Sequence, residues 1–273
     1  MKNRSLAAKV LIMGSAFVTF AILAILIGYI VIKGAPHLTA EMFERTYTTE
    51  NVSMFPAIIT TLIVVVLSLI VATPIGIFTG FYLVEYAKKG SKIVRLIRLA
   101  TETLSGIPSI IYGLFGMLFF SIALKLGYSI LSGVFTLAIM ILPLIIRSTE
   151  ESLLAVHSSL RSGSLALGAG KLRTIVRVVL PVAMPGILSG VILAIGRCVG
   201  ETAALMFTLG TTTDMPTSLL SSGRTLSLHM YVLSSEGLFV DQAFATGFIL
   251  IVLTLVINSL STFIGIKLSG GTK

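Results

Sequence analysis

Six apolar stretches, each about the length of a bilayer crossing, take up most of this chain and decide what it can fold into. They run over roughly 11–33, 55–82, 104–123, 128–146, 186–209 and 244–266. About 20 apolar residues are needed to cross a hydrocarbon core as a helix. Inside that core every backbone N–H and C=O must be paired within the chain, so spans rich in Leu, Ile and Val are expected to be α-helices. A large soluble core is the competing reading. Soluble domains carry about 25% charged residues, whereas this chain has 11% charged and 55% hydrophobic residues. The expectation is an all-α membrane protein of six transmembrane helices. Residues 1–273 form a single domain, without linker, low-complexity tract or room for a soluble catalytic domain. The first run is longer than a signal-peptide core and lacks a small-x-small cleavage pattern, so it is read as a retained helix.

The formal net charge of +9 does not indicate nucleic acid. Lys2, Arg4 and Lys9 precede the first span. Lys88, Lys89, Lys92, Arg95 and Arg98 fall between the second and third. Arg147, Arg161, Lys171, Arg173 and Arg177 fall between the fourth and fifth, and Lys267 and Lys273 follow the sixth. That places 15 basic residues on one side, against Lys33, Arg45, Lys125 and Arg224 on the other. Positive residues collect in cytoplasmic loops, so both termini are expected in the cytoplasm, with membrane lipid as a contact. Cys198 is the sole cysteine, and His37, His157 and His229 are far apart, so neither a disulfide nor a zinc-type ligand spacing is present.

Two charges fall within the fifth apolar run. Arg197 is about 11 residues past its expected start, near the bilayer middle. A charge there costs at least ~2.5–3.5 kcal/mol, so it should face protein or water. Arg197 and Glu201 are four apart, which on one helix puts them on one face with Gly190, Ala194, Ala204 and Thr208. Either the two neutralise each other and lock the bundle, or Arg197 meets an anion in transit while Glu201 holds it in place. The guanidinium fork suits phosphate-like oxygens. Gly186/Gly190 and Gly196/Gly200 are spaced for close helix approach. Pro108 interrupts the third run, with the hydroxyls of Ser109 and Tyr112 beside the break, and broken membrane helices expose backbone to substrates. Loop 34–54 is expected to be a short surface element. The segment 226–233 is apolar enough to lie in the interface or against the bundle. Gly163 to Gly168 has the glycine spacing of a P-loop, but Ala169 stands where lysine is needed, so no ATP site is expected here. No Ser/His/Asp set or paired carboxylate suggests an enzyme.

Between the fourth and fifth runs, in a cytoplasmic loop at about 150–185, lies a polar, basic segment. Its Gly168 is followed after nine residues by Val178, then Leu180-Pro181. This spacing resembles the loop by which ABC importer permeases dock onto their ATPase. The family's acidic-Ala-Ala opening falls on Ser162, Gly163 and Ser164, a departure from the pattern. Glu102-Thr-Leu-Ser-Gly-Ile-Pro-Ser-Ile-Ile-Tyr-Gly-Leu-Phe-Gly116 and Gly196-Arg-Cys-Val-Gly-Glu-Thr-Ala203 closely resemble the A-type permeases (PstA) of the phosphate-specific transport system, and the likeness covers nearly the whole chain. The resemblance implies a type I ABC importer permease of the MetI-like fold in a bacterial inner membrane, importing inorganic phosphate. It implies as partners a second, PstC-like permease, a PstB-like ATPase dimer that carries the ATP and magnesium, and a PstS-like phosphate-binding protein. It places Arg197, Glu201, Ser109 and Tyr112 on the substrate pathway, and Gly168, Ala166, Lys171 and Pro181 in the coupling contact. Alternatives are an importer of sulfate or molybdate, and an ion-coupled secondary transporter, which leaves the docking loop unexplained.

Overall fold

The computed structural model describes residues 2–88 and 90–268, with side chains from 9 to 267 except residue 89. Among the topology-setting cations, the side chains of Lys2, Arg4, Lys89 and Lys273 therefore lie outside the described residues. Those described form helices joined by loops, with no strand among them. Five helices are long and apolar enough to span a membrane, and a sharply bent pair makes a sixth crossing if counted as one.

α1 (Lys2–Gly34) is apolar all round and touches little but α11. Its side chains from Val10 to Leu26 are largely exposed, a distribution stable only against lipid or another chain. α2 (Phe55–Phe81) begins with Pro56 in its first turn, where the missing N–H costs nothing, and ends in a π-helical turn over Tyr82–Tyr86. α3 (Lys92–Ser105) is amphipathic and charged. α4 (Ser109–Gly116) follows and continues as a π-helical stretch to Ala123. The expected third span, 104–123, is thus not one helix. α3 and the helical stretch Ser109–Ala123 meet at 106°, because Pro108 removes the N–H that would continue the ladder and disfavours helical geometry in the preceding residue.

α5 (Ile130–Ala155) is capped by Ser129, whose Oγ accepts from the Ser132 N–H at 3.2 Å. It runs nine residues beyond the expected end of the fourth span and forms the buried centre of the bundle. Glycines let its neighbours approach. A Cβ on Gly76 or Gly80 of α2 would strike Ile145 or Thr149 of α5. α6 (Ser158–Ala166) and α7 (Lys171–Thr174) form a short hairpin, and α7 continues through a π-turn at Ile175–Val179 into α8 (Leu180–Val199). Pro181 and Pro185 have no N–H to donate; Pro181 stands in the first turn of α8, directly after the π-turn, and Pro185 lies inside the helix. The fifth span is therefore 171–199 rather than 186–209. Gly186 and Gly190 pack on Ser152 and Ser148 of α5, as their spacing suggests, whereas Gly196 and Gly200 face no neighbouring helix.

A short α9 (Ala203–Met206) leads into the long loop before α10. α10 (Leu226–Glu236) buries Leu226, Leu228, His229 and Leu233 against the bundle rather than lying in the interface. α11 (Val240–Leu268) runs back antiparallel to α1, and Gly34 rests on the Phe244 backbone. Loop 34–54 is more than a surface element. Met42, Val52, Ser53 and Met54 are buried, and the Met54 N–H bonds the Met42 carbonyl at 2.8 Å.

Candidate functional site

The helix bearing Arg197 ends two residues after it. Gly200 closes α8 with its N–H on the Gly196 carbonyl at 3.2 Å, and the Glu201 N–H tightens to the Cys198 carbonyl at 3.3 Å. The chain then restarts as α9, where Glu201 Oε1 accepts from the Ala204 N–H at 3.0 Å. A carboxylate at a helix start satisfies an otherwise unpaired amide. Arg197 and Glu201 are therefore not two turns of one continuous face. No ion pair joins them among the described residues, so the reading in which they neutralise each other, or in which Glu201 grips the guanidinium, does not describe this conformation. Glu201 is buried, and its carbonyl also accepts from Ser227 Oγ at 2.7 Å, tying the break to α10. Arg197 is half-buried and has no hydrogen-bond or ion-pair partner among the described residues.

Depth follows from register. Gly190 lies against Ser148 in the C-terminal third of α5, and Arg197 is seven residues nearer the C-terminal end of α8, about 10 Å along the helix. This is the level of the buried core formed by Leu137, Ile141, Ala194 and Cys198. The second broken helix meets the first there. A Cβ on Gly113 of α4 would lie 2.8 Å from Ala204 Cα, and Gly116 packs on Thr136 and Thr208. Tyr112, next to Gly113, lies within Coulombic reach of Arg197. Its hydroxyl is committed, donating to the Leu104 carbonyl at 2.7 Å across the Pro108 break. Tyr112 thus holds the bend between α3 and α4, whereas Ser109 opens α4 half-buried and unpartnered. Beside the Glu201–Thr202 break is a cleft of about 610 Å³ with mostly apolar walls from Ala203, Met206, Met230 and Phe244.

The hairpin has the expected turn. Gly168 sits at φ +83°, and a Cβ there would meet open space. The Gly168 and Ala169 N–H groups close back on the Leu165 and Ser164 carbonyls, a left-handed helix ending that favours glycine. Ala166 is exposed at the end of α6, and Leu165, Leu167 and Leu172 present apolar side chains at the tip. Lys171 is not a free contact at that tip. Its ammonium bonds the Glu85 carbonyl and stands 4.6 Å from the centre of the Tyr86 ring. Pro181 lies on the shaft, where it shapes the helix instead of the tip.

Two other arrangements escaped sequence reasoning. Glu85, a lone acid at the end of an apolar run, pairs with Arg161 at 2.9 Å. Arg98 pairs with Glu150 at 2.6 Å, latching α3 to α5. Partners 52 or 76 residues apart leave no periodic trace; the only signal was an acid in an otherwise basic loop.

The family described as the binding-protein-dependent transport system inner membrane component matches residues 72–269, which include both helix breaks and the hairpin. The chain belongs to that family. A probable ABC transporter permease protein, YqgI of Bacillus subtilis, is 31% identical over 268 residues, covering 92% of this chain and 91% of its own. A phosphate transport system permease protein PstA of Pasteurella multocida is 38% identical over 181 residues, covering 66% of this chain and 64% of its own. The matched stretch spans 33% and 51% of PstA relatives from Mycoplasma pneumoniae and Mycobacterium tuberculosis. A bacterial alginate ABC transporter, solved in complex with an alginate-bound periplasmic protein, contains a chain that superposes with TM-score 0.69 at 15% identity, covering 96% of each. At that identity the likeness establishes the fold, which is that of a binding-protein-dependent permease.

Proposed function

We propose that this chain is the permease subunit of an ATP-driven importer and that its cargo is inorganic phosphate. The observation that carries the reading is Arg197, a guanidinium with no hydrogen-bond or ion-pair partner among the described residues, near the end of α8 and level with the buried core, where two broken helices meet. An unpaired charge there costs several kcal/mol unless water or a counter-ion meets it. A planar fork that stays charged is suited to two oxygens of a tetrahedral anion. Glu201 is fixed on the Ala204 amide instead of on Arg197, which leaves the guanidinium open to an anion. Ser109 supplies a free hydroxyl beside the second break. The PstA relatives support phosphate over sulfate or molybdate, as does the match of the residues around Pro108 and Arg197 to that family's pattern.

The chain works with others on this reading. A second permease completes the pathway, a phosphate-binding protein delivers from outside, and an ATPase dimer docks on the 158–170 hairpin and hydrolyses ATP with its own magnesium. Both termini lie in the cytoplasm of a bacterial cell with the inner membrane between them and α10. The test is uptake of labelled phosphate by the assembled complex in vesicles. Arg197→Gln is expected to abolish uptake while the complex still assembles, and Arg197→Lys to impair it, because a point charge does not reproduce the fork. Uptake at the wild-type level in Arg197→Gln vesicles removes Arg197 from the pathway. Uptake that follows an ion gradient without the ATPase overturns the importer reading, and competition by sulfate or molybdate reassigns the cargo.

A further inference from the structure

Both arms of the docking hairpin are fastened to one residue. From α6, Arg161 reaches Glu85 Oε1 with Nε at 3.1 Å and Nη2 at 2.9 Å. The same guanidinium donates to the Leu153 carbonyl through Nη2 and the Val156 carbonyl through Nη1, each at 2.7 Å, satisfying the open end of α5. From α7, beyond the Gly168 turn, Lys171 bonds the Glu85 carbonyl and stands over the Tyr86 ring. Ser164 and Thr174 bridge the two arms at 2.9 Å. Glu85 itself lies in the π-turn that ends α2. The Glu85 side chain is 10% exposed and that of Arg161 23%, so water screens this pair much less than the Arg147–Glu151 pair on the surface.

We propose that Glu85 is the positioning residue through which the hairpin moves the membrane helices: a clasp joining α6 and α7 to the inner ends of α2 and α5. The inference rests on the importer reading above. The hairpin has no other side-chain tie to α2 among the described residues that is both charged and shielded. α2 and α5 are also the most extensively packed helix pair, and α5 carries the core facing the Arg197 level. A push on the hairpin tip is thereby delivered to both helices together. Without the Glu85 carboxylate α6 keeps, of its charged ties among the described residues, only the Arg161 bonds to the α5 carbonyls, and the hairpin's charged tie to α2 is Lys171 alone.

The experiment uses the full complex in proteoliposomes and reads two quantities, ATP hydrolysed and phosphate taken up, with and without phosphate-loaded binding protein. Glu85→Gln is expected to assemble and to hydrolyse ATP, while phosphate moved per ATP falls by about 2- to 30-fold, the span of coupling changes along such networks. Arg161→Gln, which also loses the α5 carbonyl bonds, should lower the ratio at least as much, and adding Glu85→Gln to it should lower the ratio no further, because the Glu85 contact is already gone. A merely structural role changes the amount of complex and leaves the ratio alone. If Glu85→Gln fails to assemble, the ratio is read on Arg161→Gln, which removes the cation facing Glu85. An unchanged ratio in any assembled variant overturns the clasp, as does failure of both variants to assemble. A wild-type complex whose uptake ignores ATP overturns the importer reading instead.

Discussion

Gly168 offers a perturbation whose size follows from local geometry alone. Its φ is +83°, and a Cβ built there touches nothing within 4 Å, so a substitution costs backbone strain and no collision. An L-residue held in the left-handed region loses about 1–2 kcal/mol. Within the folded hairpin that lowers the population of the docking-competent turn about 5- to 30-fold, and the apparent affinity for the ATPase falls by the same factor. Gly168→Ala should show this loss and Gly168→Val a larger one, since a β-branched residue is strained further. Gly168→Asn should stay within a few-fold of wild type, because asparagine tolerates this region. Gly163 supplies the control. It lies inside α6 with equally open space, so Gly163→Ala should be neutral or raise stability by up to about 1 kcal/mol. The assay titrates purified ATPase onto the permease in nanodiscs and compares Kd across the series. Equal affinities for the glycine, alanine and valine forms would show that the docked hairpin does not use the left-handed turn.

Gly190→Leu should cost about 1–3 kcal/mol or prevent folding, because even its Cβ would lie 2.2 Å from the Ser148 Cβ in the α5–α8 seam; thermal unfolding in detergent reads this, and an unchanged melting point contradicts the packing. His229 is fully buried in the outer cap, where burial first, and then the nearby Arg224, push its pKa down from 6.5 to about 3, with the Val52 backbone opposing weakly. Folded His229 stays neutral where the unfolded chain gains a proton, so stability is full above pH 6.5 and declines as pH falls towards 3. By pH 5 the loss is about 2 kcal/mol, and it should vanish in His229→Asn when amide exchange in α10 is followed against pH. For topology, cysteines at Thr217 and Ser158 should react with membrane-impermeant reagents from opposite faces, Thr217→Cys from outside; reaction of both from one side defeats the assigned orientation.

The distribution of apolar runs set much of this protein. Lengths near 20 residues, almost free of charge, allow little besides membrane helices, because backbone groups in hydrocarbon must pair locally. Residue-level signals with a local cause were equally legible. Gly168 takes the left-handed turn because its neighbours close a helix there, Pro108 breaks a helix because it lacks an N–H, and Gly186 and Gly190 sit where α8 meets α5. What sequence spacing could not supply was any interaction set by three-dimensional approach. The four-residue interval between Arg197 and Glu201 implied a shared helix face, yet α8 closes at Gly200 between them and the Glu201 carboxylate meets the start of α9. Tyr112 looked free for a substrate until the bend brought the Leu104 carbonyl to its hydroxyl. Lys171 read as a docking cation, but the end of α2 stands beside it. Glu85 drew no notice, because its importance comes from Arg161, 76 positions away. Local chemistry decides where a chain turns and what it can bury; which charges meet is decided only when the helices pack.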